Sequence, residues 1–410
     1  MELTAATKLR VRELGWDADL IGRFETSVLK DRTVANMAML HIAPERAARF
    51  MALVEKNPDQ MANLTFNFIR THSEKGVRAV PGPYGLGTPE INIGSYGQVP
   101  DLWPYENDTP MGSHPDPNAY LPGSYHIYEK AEVWADGVDH MYEEAIRLRW
   151  VPATDLPWNE GLKELPEEME RAVCQLATVY SSNGLAEQKI ISKWFEPISY
   201  GFHDVMLFLG TQVYDAGHKV EALRKRAMVN GGGLGQAPLG TLYRGWYGAL
   251  KITQMLIAVD VVYKSYEVAL FEAYQDFAQT DLDAKMFELM ARDSRRHLEY
   301  GKRHLLWYMQ HKDKADMFVP LWLAQAENAL NAELRFSTTE REALVLLLGG
   351  GMERLSTGVE RLASLRQKQV QEYLGALEFA GIDRLPNIHP GLLKMTEDPI
   401  GDLKGPGRPL

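Results

Sequence analysis

Two six-residue segments, "YDAGHK" and "RDSRRH", hold residue types that metal and acid–base chemistry require. The first sets Asp215 four positions before Lys219, and the second sets Asp293 four positions before His297. On a helix, residues three or four apart share a face, so each pair can point into one interior. A turn of Asp-Ser-Arg-Arg-His has the look of a metal-binding turn from which the carboxylate ligand is gone. Taken alone, Asp293 and His297 read equally well as a capped or solvent-facing helix pair.

The bulk composition narrows the field around these residues. The chain has 410 residues, a formal charge of −11, 45% hydrophobic and 24% charged residues, ordinary values for a globular protein that buries a core. The acidic balance disfavours a nucleic-acid partner, which needs a clustered basic surface. No long apolar run is free of charges, which argues against a membrane span. The opening "MELTAATKLRVRELGWDADL" lacks the basic-then-apolar order of a signal peptide, so a cytoplasmic location is expected. The single cysteine, Cys174, excludes an intrachain disulfide and a multi-thiolate zinc site, and its "RAVCQLA" context predicts a buried structural thiol.

The elements that must position the two turns are helices. Residues 1–125 form an N-terminal extension, helical at first and then rich in Gly, Pro and Tyr over 76–125, where no regular element fits. That second part reads either as a surface linker or as a segment packed on a partner or a pocket mouth. Apolar spacing predicts helices over 126–149, 166–191, 201–229, 241–279, 284–311 and 339–379. Residues 126–312 then make a bundle core, and 313–410 make C-terminal helices followed by an extended tail. No alternating strand and no repeat appears, so the fold class is all-α, a helical bundle. "NGGGLG" has no strand before it and no Lys-Ser/Thr after it, and reads as a helix-terminating loop rather than a phosphate loop. "GFHD" at 201–204 reads as helix capping and surface residues.

From about residue 150 to 310 the chain resembles the ferritin-like superfamily, in the branch of bacterial di-iron oxygenases and ribonucleotide reductase small subunits. That family carries Asp-Glu-x-Arg-His on the second and fourth bundle helices, the frame of "DAGHK" and "DSRRH" here. The flanking "PATDLPWNEGLKELPEEMERAVCQLAT", "EALRKRAMVNGGGLG" and "LEYGKRHL" follow in the same order. The resemblance implies a ferritin-like bundle whose metal ligands are mostly replaced. In the first signature Ala216 stands at the Glu position and Lys219 at the His position; in the second, Ser294 stands at the Glu position while His297 remains. On the first helix, Ser182, Asn183, Gly184 and Leu185 fall where the family places carboxylates, with Glu187 one turn beyond. On the third helix Lys264 falls at or near the Glu position, and Glu267 is next on that face.

Iron or manganese needs carboxylate oxygens to offset its charge, which one imidazole and two lysines do not supply. A lysine ammonium stands in for the cation and needs an anion beside it. The family's signature Asp residues orient ligand histidines, so the resemblance implies that Asp215 holds His297 and that Asp293 pairs with Lys219. Three functions compete. One is the metal-free component of a multi-component oxygenase, forming a homo- or hetero-oligomer with a related ferritin-like subunit that carries di-iron, for a small apolar or aromatic substrate. Another is a metal-free enzyme using Lys219, Lys264, His297, Ser294, Asp215 and Asp293, with Tyr180, Tyr214, Tyr263 and Tyr266 nearby. The third is a displaced metal site built from Glu187, Glu267 and His297, with His218 and Glu221 in reach, which requires helices to shift by a turn and Lys219 to leave.

Overall fold

The structure, a computed structural model, describes residues 2–70, 76–103, 109–114, 116 and 125–401. The chain divides into two compact units, one of residues 1–79, 93–98 and 109–120, the other of 80–92, 99–108 and 121–410. The helices of residues 313–401 therefore belong to the same unit as residues 126–312.

The first unit is built from α1 (Ala5–Glu13), α2 (Ala18–Thr26), α3 (Asp31–Met39), α4 (Pro44–Lys56) and the short α5 (Pro58–Met61). Three of these starts have a local cause. Thr4 accepts a bond from the Thr7 amide, Asp17 accepts one from the Leu20 amide at 2.7 Å, and Pro44 opens α4, where its missing N–H costs nothing. Val11, Trp16, Phe24, Val34, Met51 and Val54 close a small core.

The second unit begins with α6 (Thr88–Ile91) and α7 (Val138–Arg147). Four long elements follow: α8 (Glu167–Lys193), α9 (His203–Val229), a run over 252–274, and α13 (Asp281–His311). α10 (Thr241–Tyr247) precedes the 252–274 run, which comprises α11 (Ile252–Leu256), a π-helical turn Ile257–Tyr263, and α12 (Lys264–Tyr274). α14 (Ala315–Phe336), α15 (Thr338–Gly349), α16 (Leu355–Phe379) and α17 (Pro390–Glu397) complete the unit. α8 packs along α9, α12 along α13, and α9 meets α13, while α15 and α16 cover α8 and α12. The fold is all-α: among the described residues only isolated bridges stand in for strands, and no helix is long and apolar enough to cross a membrane.

The sequence reading of 241–279 as one helix needs correction, because the chain breaks after Tyr247 and widens into the π turn. The reading of 339–379 as one helix also fails: Gly350 and Gly351 take φ of +80° and +126°, which ends α15. α14 lies outside the helices predicted above, since Pro320 interrupts its pattern. The tail is not extended over 390–397 but forms α17, which buries Leu392 and Met395; residues 402–410 lie outside the described part. "NGGGLG" does end α9, with Gly231 and Gly233 at φ of +78° and +73° and the Gly233 amide on the Ala227 carbonyl at 2.7 Å.

One contact fixes the π turn against α13. A Cβ on Gly301 would stand 2.7 Å from the Asp260 Cβ and 2.9 Å from the Asp260 backbone, so only glycine lets α13 approach this closely. Gly301→Ala is expected to destabilise the protein by about 1–3 kcal/mol through overpacking, read as a lower urea midpoint. An unchanged midpoint would show that the two backbones can separate freely.

Candidate functional site: a buried charge quartet

Side chains from α8, α9, α12 and α13 meet in a fully buried cluster. Lys219 Nζ of α9 donates to Glu187 Oε2 of α8 at 2.9 Å and to Glu267 Oε1 of α12 at 2.7 Å. Lys264 Nζ donates to the same two carboxylates, reaching Glu187 Oε1 at 2.8 Å and also Glu267 Oε2. Glu267 accepts further bonds from Tyr263 Oη at 2.9 Å and Ser294 Oγ at 2.8 Å. Two ammoniums and two carboxylates thus alternate, with no net charge left over.

The electrostatics follow from that alternation. Burial opposes ionisation of Glu267, yet Lys219 and Lys264 outweigh it and hold the carboxyl down at about 2. Glu187 is likewise lowered well below the usual range despite burial, by the same two lysines. For Lys264, burial favours the neutral amine, but Glu187 and Glu267 prevail and raise its pKa above the ordinary lysine value. Lys264 is therefore an ammonium, not a free base.

A second layer leans on the first. His297 Nε2 lies 3.0 Å from Asp215 Oδ2 and its Nδ1 lies 3.6 Å from Glu187 Oε1. Burial alone would lower the His297 pKa; its bonds to Asp215 and Glu187 raise it instead. Arg296 Nη2 bridges Asp215 Oδ2 and Asp293 Oδ1 at 2.9 Å each. Asp293 also accepts from Trp150 Nε1 at 2.7 Å and faces His218 Nε2 at 3.2 Å. Burial resists its ionisation, but His218 and Arg296 hold it at about 2. On the other side, Gln212 Nε2 donates to Asp260 Oδ1 at 2.5 Å, and burial pushes the Asp260 carboxyl up to about 7.

The structure brings Lys219, Lys264, His297, Ser294 and Asp215 together, with Glu187 and Glu267 at the centre. The expected Asp215–His297 contact is present. The expected Asp293–Lys219 pair is not: Lys219 turns to the two glutamates, and Arg296 holds Asp293 instead. Glu187 reaches the centre without any helix shift, whereas Leu185, in the window where the family's carboxylates were sought, is exposed and Gly184 packs under Val220. Glu221 faces outward and pairs with Lys225, so it belongs to no interior set. Tyr214 is exposed with its ring on His218, and Tyr180 donates to Glu340 at 2.8 Å; of the four tyrosines only Tyr263 bonds the quartet. Cys174 is buried, and burial beside Glu170 pushes its thiol up to about 12. His203 is exposed as expected, but Asp204 is buried and accepts from Asn92 at 2.9 Å.

The described parts of the 76–125 segment engage this chain itself. The Thr88 amide donates to Glu143 at 2.7 Å, and the Trp103 ring meets Tyr200 edge-on at 5.0 Å. Residues 104–108, 115 and 117–124 of that segment lie outside the described part.

Two donor sets were tested for a metal. Glu187 shares both lysines with Glu267 and lies 3.6 Å from His297 Nδ1, but both carboxylates are taken by Lys219 and Lys264, so a cation there would meet two ammoniums. Asp215, His218 and Asp293 also cluster, with donor atoms within 4.8 Å. The Arg296 guanidinium already bridges their two carboxylates, and Trp150 takes one Asp293 oxygen. Neither set fits a metal ion as it stands. Beside the quartet, Asp260 and Gln212 are interior residues that sequence reasoning missed.

Lys219→Met should destabilise the protein by about 3–5 kcal/mol, because two buried carboxylates are left with one cation. Combining it with Glu267→Gln should recover most of that loss in urea denaturation. A double variant no more stable than the single would show that charge balance is not the cause.

The pH response carries a separate signature. Glu267 and Asp293, both depressed, stabilise the fold at neutral pH, and that contribution fades as pH falls from the usual carboxylate range towards about 2. Asp260, raised to about 7, acts oppositely: its contribution is full below the unfolded value of 3.8 and is lost as pH rises through about 7. Asp260→Asn should therefore flatten the stability loss between those two values. Unfolding curves across that window with the same slope in variant and parent would refute this.

Among known proteins, no family model matches the chain, no curated protein matches it, and no solved structure matches it.

Proposed function

We propose that this chain is the metal-free component of a multi-component oxygenase of the ferritin-like kind. It works beside a related subunit that carries di-iron, and the assembly acts on a small apolar or aromatic compound. The observation that carries this reading is the quartet: Lys219 and Lys264 are the cations bridging Glu187 and Glu267 at the bundle centre. Ammoniums at that position let four helices converge on carboxylates with no metal supplied. Support also comes from the outer layer, where Arg296 bridges Asp215 and Asp293, and His297 contacts Asp215.

The alternative, an enzyme using a lysine as base or Schiff-base nucleophile, needs an amine that can shed its proton. Lys264 is held charged by two carboxylates, and Lys219 touches the same two. The quartet favours a packing role for these lysines over a chemical one.

Co-expression with the products encoded beside it is the direct test. The expected result is a stable hetero-oligomer in which iron resides on the partner and turnover requires both chains. Metal analysis of this chain alone should give less than about a tenth of an equivalent of iron, manganese or zinc. A stable homomer with full oxygenase activity would overturn the proposal.

A further inference from the structure

The glycine-rich loop after α9 was set aside above as a helix terminator, yet it runs over a second polar feature. A cavity of about 30 Å³ lies between α8, α12, α14 and α15. Its wall includes Glu267 and Tyr263 of the quartet region, together with Tyr180, Tyr266 and Glu340. A hydration site needs only about 10–15 Å³ and a few polar partners, so the space suits one or two water molecules.

The polar groups around it ask for such a partner. Tyr266 is 4% exposed and its Oη has no hydrogen-bond partner in the protein. Glu340 accepts from Tyr180 at 2.8 Å through one oxygen. Burial raises the Glu340 carboxyl above its ordinary value, against the pull of Arg366 and Tyr180. A buried hydroxyl without a partner is destabilising, and a bound water supplies the missing hydrogen bond.

The way in is set by exposure. Every lining residue but one is buried; the exception is Pro238, in the exposed loop 231–240. That loop is fastened through side chains. Gln175 exchanges two bonds with Gln236 at 2.7 and 2.9 Å, Thr178 accepts from the Gly235 amide at 2.7 Å, and Glu333 accepts from the Leu239 and Thr241 amides at 2.9 and 2.7 Å. The glycines let it lie this close, since a Cβ on Gly232 would come within 2.5 Å of the Cys174 sulfur.

We propose that this cavity is an internal water site, bonded by Tyr266 Oη and reaching Glu267, and that solvent enters it past Pro238. The loop is its roof, and the site gives the quartet a point of exchange with solvent on the Glu267 side. None of this depends on the oxygenase reading.

The test pairs a crystal structure that resolves ordered waters with water-²H magnetic relaxation dispersion on the full chain. Density is expected for at least one water on Tyr266 Oη, and Tyr266→Phe, which removes only an unpartnered hydroxyl, should lose that water from the dispersion. Pro238→Gly should shorten the water's residence time on the order of tenfold, as opening of the roof becomes easier. A cavity without density overturns the water site. Water present with unchanged residence time in Pro238→Gly overturns the entry route.

Discussion

Four charges inside a helical bundle constrain everything around them. An ion moved from water into a protein interior loses several kcal/mol of solvation even after relaxation. Attraction offsets that only where opposite charges touch and every remaining lone pair or proton finds a partner. Glu187, Glu267, Lys219 and Lys264 pair as a set: each ammonium serves both carboxylates, and Ser294 and Tyr263 fill the remaining sites on Glu267. Removing any one member leaves a net buried charge. The quartet thus works as a register pin, tying α8, α9 and α12 at fixed depths along the bundle, with α13 joined through Ser294 and His297.

Local backbone geometry serves the same requirement. Asp260, Lys264 and Glu267 are all buried, the first within the π turn and the other two in the α-helix that follows it. A π turn carries an extra residue per repeat and so re-aims the side chains that follow it. In this chain the turn ends at Tyr263, immediately before Lys264, which places the lysine and Glu267 on the face towards α8 and α9. The close approach of Gly301 to the Asp260 backbone seats that widened segment against α13. Helix distortion, glycine position and charge pairing are one device.

Much of this was legible in the sequence, for a reason that also marks where legibility ends. Helical periodicity reports amphipathic faces, so α8, α9 and α13 were placed within a few residues. The breaks in 241–279 and 339–379 were not, because "IAVDVVY" is apolar apart from Asp260 and carries no helical period, and the glycines 349–351 sit inside an otherwise continuous helical pattern. The interior lysines and His297 were found because a paired frame pointed to them. Glu187 was discounted, since the frame fixed attention on positions 182–185. A different signal was available: Glu187 and Asp260 are the lone acids in "VCQLATVYSSNGLAE" and "MLIAVDVVY". An isolated charge in an otherwise uncharged run must be paired if the run is buried, which is a physical demand rather than a motif. The partner of Asp293 was not legible that way: the frame pointed to Lys219 alone, whereas Arg296, three residues on along the same helix, takes it.

The partition between the two arginine and lysine roles shows what decided that choice. A guanidinium offers a planar fork that can bridge two carboxylates on different helices, which is the geometry Arg296 adopts between Asp215 and Asp293. An ammonium is a compact point charge with three donors, suited to the crowded centre where two carboxylates and a hydroxyl converge. Exchanging the two would place a bulky planar cation in the quartet and a single point charge across the wider outer gap. The outer layer therefore uses shape and the inner layer uses charge density. This is why Lys219, though on the same helix as Asp215 and one turn away, turns inward to the glutamates rather than outward to Asp293.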